Sequence, residues 1–162
     1  MKVTHNDAGS RALAALADEM GKLRLRVGWF ESSTYPWAKA QTPVAYVASI
    51  HEHGAASKGI PPRPFMRPTA QDNRQKWSRA FTQAITAAAG GHGSIEMAYT
   101  LLGEVVRGDI HKQLAAMGSH PEDADVIHHR RRRKNPPPNT ATSVLRDTMT
   151  LFNTLVASVT RK

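Results

Sequence analysis

A chain of 162 residues can bury one hydrophobic core and is too short for two domains of ordinary size. Its 22 Lys and Arg against 13 Asp and Glu leave a formal charge of +9, an excess that attracts polyanions or acidic surfaces beyond what solubility needs. The absence of cysteine excludes disulfides, thiol nucleophiles and Cys-ligated metals. No run approaches the ~18 apolar residues of a membrane span, and the polar first ten residues lack the apolar stretch of a signal peptide, so a cytoplasm-like setting without membrane contact is expected.

Ser10 precedes Leu13, Leu16 and Met20 at helical spacing, and Gly21 supplies a stop, which predicts a short amphipathic helix. Leu23, Leu25, Val27 and Trp29 then alternate with Arg24, Arg26 and Gly28, the period of a strand with one apolar face and two arginines turned to solvent or a partner. Residues 31 to 41 read as a loop or hairpin arm. Thr42 as cap and Pro43 as first helical residue predict a second helix with Val44, Val47, Ala48 and His51 on one face, ended by Gly54. The prolines at 61, 62, 64 and 68 predict a stiff, extended connector over residues 60 to 68, since they lack amide donors and restrict the residues before them.

Thr69 is expected to cap a third helix that buries Trp77, Phe81, Ala84, Ile85 and Ala88 and closes at Gly90 and Gly91. A fourth runs from about Ser94 to Met117 on the stripe Ile95, Ala98, Leu102, Val106, Ile110, Leu114 and Met117. Gly103 and Gly108 within it point to close packing or a bend. Residues 118 to 144 carry no apolar period and read as an exposed basic arm. A short helix near 147 to 153 and a C-terminal strand complete an α+β fold. It is read as one domain over residues 1 to 162: a small, mostly antiparallel sheet packed by long helices, with extended loops.

The chemistry-bearing residues form no catalytic constellation. His51 and His53 lie two apart, where a zincin helix needs four, so no metal site is expected and their place is the end of a helix, near free carbonyls. Gly90, Gly91 and Gly93 lack the Lys and Ser or Thr of a phosphate loop, and no serine or threonine sits in a triad or nucleophile-elbow context, so neither an enzyme nor a cofactor is expected. The run Arg130, Arg131, Arg132, Arg133 and Lys134 suits phosphates or an acidic surface, without aromatics for base stacking.

In order, Val27-Gly28-Trp29, the segment Ala45 to Gly54 with His51-Glu52-His53-Gly54, and Ile60-Pro61-Pro62-Arg63-Pro64-Phe65-Met66-Arg67-Pro68 resemble a family of tailed-bacteriophage tail-component proteins of the head-to-tail joining or tail-completion type. Leu145-Arg146-Asp147-Thr148 resembles that family's C-terminal Leu-x-Asp-Thr-Gly turn, with Met149 where glycine is usual. The resemblance implies a non-catalytic virion protein of the phage neck or tail top, assembled in the host cytoplasm as a homo-oligomeric ring of six copies. Its partners would be neighbouring neck, tail-terminator or tail-tube proteins and genome DNA in the lumen. His51, Glu52, Gly54, Arg63, Pro64, Phe65 and Arg67 are the expected subunit or partner contacts, with Phe65 serving either as an anchor or as a plug of the domain's own core. Other readings of the same chain are a stand-alone basic nucleic-acid-binding protein and a capsid assembly factor.

Overall fold

The computed structural model describes residues 7–36, 41–118, 128, 131, 132, 134, 138–140, 145 and 148–162. Its architecture is α+β, with long helices and a two-stranded antiparallel sheet. In chain order the described elements are α1 (Asp7–Lys22), β1 (Leu23–Gly28), α2 (Val44–His53), a 3-10 turn (Ala56–Lys58), α3 (Met66–Ala89), α4 (Ile95–Ala116), α5 (Thr150–Asn153) and β2 (Val156–Arg161). The chain gathers into two compact units. One comprises Met1–Arg26, Gln75–Val105 and Ala157–Lys162, the other Val27–Arg74 and Val106–Val156. At 24 and 22 residues, α3 and α4 are ~36 and ~33 Å long, more than one small core can cover, and each gives one end to each unit.

In the first unit α1 starts before Ser10 and runs through Gly21 directly into β1, so neither residue acts as the expected boundary. An i,i+4 ion pair between Asp18 and Lys22 supports the last turn, where glycine alone is too weak a stop. The Lys162 N–H donates to the Lys22 carbonyl at 2.8 Å, which sets Arg24 opposite Thr160 and Arg26 opposite Ser158. Leu23 and Leu25 face inward, as the alternation predicts. A Cβ on Gly103 of α4 would lie 2.9 Å from Leu25 Cδ1 and 3.0 Å from Ala157 Cβ, so this glycine lets helix and sheet touch. Ser94 Oγ accepts from the Met97 N–H at 3.0 Å and caps α4, while the ring of Phe81 on α3 meets Tyr99 edge-on at 5.0 Å.

The two glycines of α4 therefore differ. Nothing lies within 4 Å of a Cβ on Gly108. Gly108→Ala should stabilise by up to about 1 kcal/mol through helix propensity alone. Gly103→Ala should destabilise by roughly 1–2 kcal/mol, because the clash with Leu25 and Ala157 outweighs the same gain. Opposite shifts of the urea midpoint in the two variants are the expected result; equal shifts would remove the contact argument.

The second unit holds a core of Val44, Ala48, Phe65, Ile110, Leu114, Leu145, Leu151 and Leu155, with Val27, Trp29, Tyr35, Val106 and Phe152 packed against it. Trp29 Nε1–H donates to the Leu151 carbonyl at 2.7 Å, which satisfies the indole's one polar atom. His111 stacks on Phe152 at 4.2 Å and its Nε2 lies 2.8 Å from the Phe152 carbonyl oxygen. The ends of the segment before α2 pair as a hairpin arm: Tyr35 N–H donates to Thr42 and Val44 N–H to Ser33. Because Pro43 is drawn into this pairing opposite Thr34, it stays extended (φ −61°, ψ 136°), and α2 begins one residue later than expected, with Pro43 rather than Thr42 at the cap.

Before α5, Met149 takes a left-handed conformation, φ 58° and ψ 3°, at the position where the resemblance expects glycine. An L side chain there costs about 1–2 kcal/mol, partly offset in any glycine variant by a freer unfolded chain. Met149→Gly should accordingly stabilise by roughly 0.5–1 kcal/mol, read as a higher midpoint in chemical denaturation; a lower midpoint would mean that the methionine side chain outweighs the strain.

Candidate subunit interface

The residues from α2 into α3 form one hydrogen-bonded corner of the second unit. Gly54 ends α2, its N–H donating to the Ile50 carbonyl at 2.7 Å. Its φ of 76° and ψ of 175° fall in a region open almost only to glycine. A Cβ there would also lie 2.8 Å from Pro62 N and 2.9 Å from the Ile60 carbonyl oxygen. Ala55 and Ile60 exchange backbone hydrogen bonds of 2.8 and 3.1 Å around the 3-10 turn, and the Arg63 N–H reaches back to the His51 carbonyl at 2.6 Å. The chain is thus folded against the last turn of α2 before α3 starts.

Glu52 closes the corner. Its Oε2 accepts from the backbone N–H groups of Phe65 and Met66 at 2.7 and 2.9 Å, and its Oε1 from the N–H and Nε–H of Arg67, both at 3.0 Å. Arg67 also donates from its guanidinium to the Glu52 carbonyl at 2.9 Å. A helix leaves its first N–H groups without intrahelical partners. Here a carboxylate from another helix takes three in succession, and Pro68, next in line, has none to offer. Negative charge at this end is also favoured by the helix dipole.

The first turn of α3 therefore comprises Met66, Arg67 and Pro68, which the prolines suggested would stay extended. Proline is tolerated there because its missing donor would be unpaired in any case. Thr69 is not the cap: it is buried inside the helix, and its hydroxyl donates to the Phe65 carbonyl at 2.6 Å.

Burial alone pushes the Glu52 carboxyl up, yet the N–H groups of Met66, Phe65 and Arg67 and the Arg67 side chain together outweigh it and hold the group below its ordinary value of 4.5. With its oxygens committed to four donors, Glu52 has no capacity to act as a base toward a bound molecule. Among the described residues no group of three or more His, Asp or Glu converges as a metal site. His53 Nδ1 lies 3.1 Å from the Ser49 carbonyl oxygen in the last turn of α2, the helix-end position expected for it.

The structure brings together the seven residues singled out as contacts and divides their roles. Glu52, only 5% exposed, and Phe65, fully buried, work inside the unit, which removes both side chains from any outer contact surface. Phe65 meets Trp29 edge-on at 5.6 Å, so of the two places weighed for it, plug or anchor, it occupies the core. His51, Gly54, Arg63 and Pro64 are half-buried, and the Arg67 side chain remains 63% exposed. Of the basic run, Arg131, Arg132 and Lys134 are exposed, whereas Arg130 and Arg133 lie outside the described residues. Glu52 as a cap from a distance was missed in the sequence; the usable signal was an acid beside a helix-ending glycine, followed by a proline-bounded segment with few donors of its own.

No helix among the described residues is long and apolar enough to cross a membrane. Compared with protein-family models, with curated proteins and with solved structures, the chain matches none.

Proposed function

We propose that this chain is a structural virion protein of a tailed phage, a ring-forming component of the neck or tail top that completes the tail or joins it to the head and catalyses no reaction. The observation that carries the reading is the Glu52 corner. Two motifs of the resemblance, Ala45 to Gly54 and the more specific Ile60 to Pro68, meet in one unit where Gly54 supplies a glycine-only turn, Glu52 binds three successive N–H groups, Pro68 withholds a fourth and Phe65 fills the core. Motifs that interlock in this way are a folding unit, which chance similarity of short strings does not require. The left-handed Met149, in the glycine position of the C-terminal Leu-x-Asp-Thr-Gly motif, adds separate support.

The reading is tested by deleting the gene from a phage genome that encodes the chain and imaging the particles formed. Filled heads and separate, unjoined tails are expected, with joining restored when the protein is supplied in trans. Normal joined, infectious particles from the deletion would overturn the proposal. So would a tight dimer as the only species of the protein, in solution and in particles alike, because a closed ring needs a heterologous contact.

A further inference from the structure

The sheet of the first unit turns two cationic side chains outward. Leu25 touches α4 at Gly103, so the neighbouring Arg24 and Arg26 project from the opposite face, and both are exposed. The register places Thr160 beside Arg24 and Ser158 beside Arg26 on that face. Neither arginine side chain makes an ion pair or hydrogen bond with a described residue, in contrast to Lys22, paired with Asp18, and Arg161, paired with Glu96.

We infer that this face is a docking surface for the phosphate backbone of duplex DNA. Two residues along a strand separate the arginines by ~6.7 Å, comparable to neighbouring phosphates on one nucleic-acid strand. The guanidinium fork matches phosphate oxygens in two-pronged fashion, and the two hydroxyls beside the arginines supply further donors of the kind that contact phosphate. The four residues placed on this face, Arg24, Arg26, Ser158 and Thr160, include neither a carboxylate to repel a polyanion nor an aromatic ring to stack on unpaired bases, which favours a duplex over a single strand. It also lacks the aromatic anchor expected at the centre of a protein contact. The binding is sequence-independent, because phosphates position a protein without identifying a base. The inference uses no residue of the basic run and holds whether or not the chain forms a neck ring.

The test measures fluorescence anisotropy of a labelled random-sequence duplex titrated with the full chain across a salt series. Three variants are compared with the parent: Arg24→Gln/Arg26→Gln, Arg24→Lys/Arg26→Lys, and Gln in place of Arg130 to Lys134. The double Gln variant should lose about tenfold or more in affinity near 0.1 M salt, and its log–log salt slope should fall by roughly 1.8, two phosphates at ~0.9 each. The double Lys variant should keep that slope, and the run variant should still contain the difference made by Arg24 and Arg26. Circular dichroism and melting should not change, since both side chains are exposed and unpaired. Unchanged affinity and slope in the double Gln variant, or no binding of duplex by the parent, would overturn the inference. So would equal or tighter binding of a single strand, or competition by polyglutamate as effective as that by duplex at matched charge, which would identify an acidic protein surface as the partner. Each result is read on the isolated protein, so its failure is distinguishable from failure of the neck assignment, which is read on particles.

Discussion

Replacing Glu52 with alanine should destabilise the fold by about 3–5 kcal/mol, because the backbone N–H groups of Phe65, Met66 and Arg67, which open α3, and a guanidinium lose a buried, charged acceptor at once. Most of that cost lies with the N–H groups. The Arg67 side chain is largely in water, where an ion pair contributes little. Glu52→Gln keeps one acceptor oxygen but turns an amide NH2 toward a donor, so roughly 1–3 kcal/mol is expected. Arg67→Ala should cost under about 1 kcal/mol, and this ordering is itself a check on the geometry.

The same carboxylate gives the fold a defined acid sensitivity. Its folded-state pKa lies below the ordinary 4.5, so above about pH 4.5 both folded and unfolded forms are ionised and the stabilisation is fully present. As pH falls from 4.5 through the folded value, the unfolded chain binds its proton first and the contribution is lost. The gap in urea midpoint between the parent and Glu52→Gln should therefore be constant from pH 6 to 8 and close as the medium is acidified below 4.5. A gap that persists unchanged to pH 3 would show that the oxygen geometry matters and the charge does not.

How much of this was legible in the sequence depended on the range of the interaction. The alternation of Leu23, Arg24, Leu25 and Arg26 identified a strand and its exposed face, and the stripe from Ile95 to Leu114 identified a helix and its buried one, since both periodicities are local. Gly103 was legible as a point of close approach, although nothing along the chain identified Leu25 and Ala157 as what approaches. The start of α3 was misplaced by four residues, from a cap at Thr69 to a first helical residue at Met66. Local rules treat Met66, Arg67 and Pro68 as a stretch without a cap, and its cap comes from Glu52 on a different helix. Pro43 was misplaced by one residue for a similar reason, since a bridge to Thr34 fixed its ψ against the helix it would otherwise begin. Glu52 was expected as a partner contact, whereas the structure buries its side chain against the backbone N–H groups that open α3.

Phe65→Ala should cost about 3–5 kcal/mol, as expected for an aromatic with no exposed surface in a core shared with Val44, Ile110 and Leu114. Phe65→Leu, which restores most of the volume, should cost under about 1.5 kcal/mol plus the edge-to-face contact with Trp29, itself worth roughly 0.5–1.5 kcal/mol. The backbone N–H of this residue is also one of the three held by Glu52, so loosening the ring disturbs the clasp. The double variant Glu52→Ala/Phe65→Ala should then lose about 0.5–3 kcal/mol less than the sum of the single losses, because each substitution releases part of what the other holds. Chemical denaturation of the four species of the cycle measures this directly. Strict additivity would separate the ring from the clasp, and an alanine variant that melts like the parent would remove Phe65 from the core altogether. Phe65→Leu supplies the assembly readout: if the chain assembles as proposed, this variant, which retains the fold and leaves the outer surface unchanged, should assemble like the parent. Loss of assembly by a fully folded Phe65→Leu would return this residue to the role of an anchor between subunits.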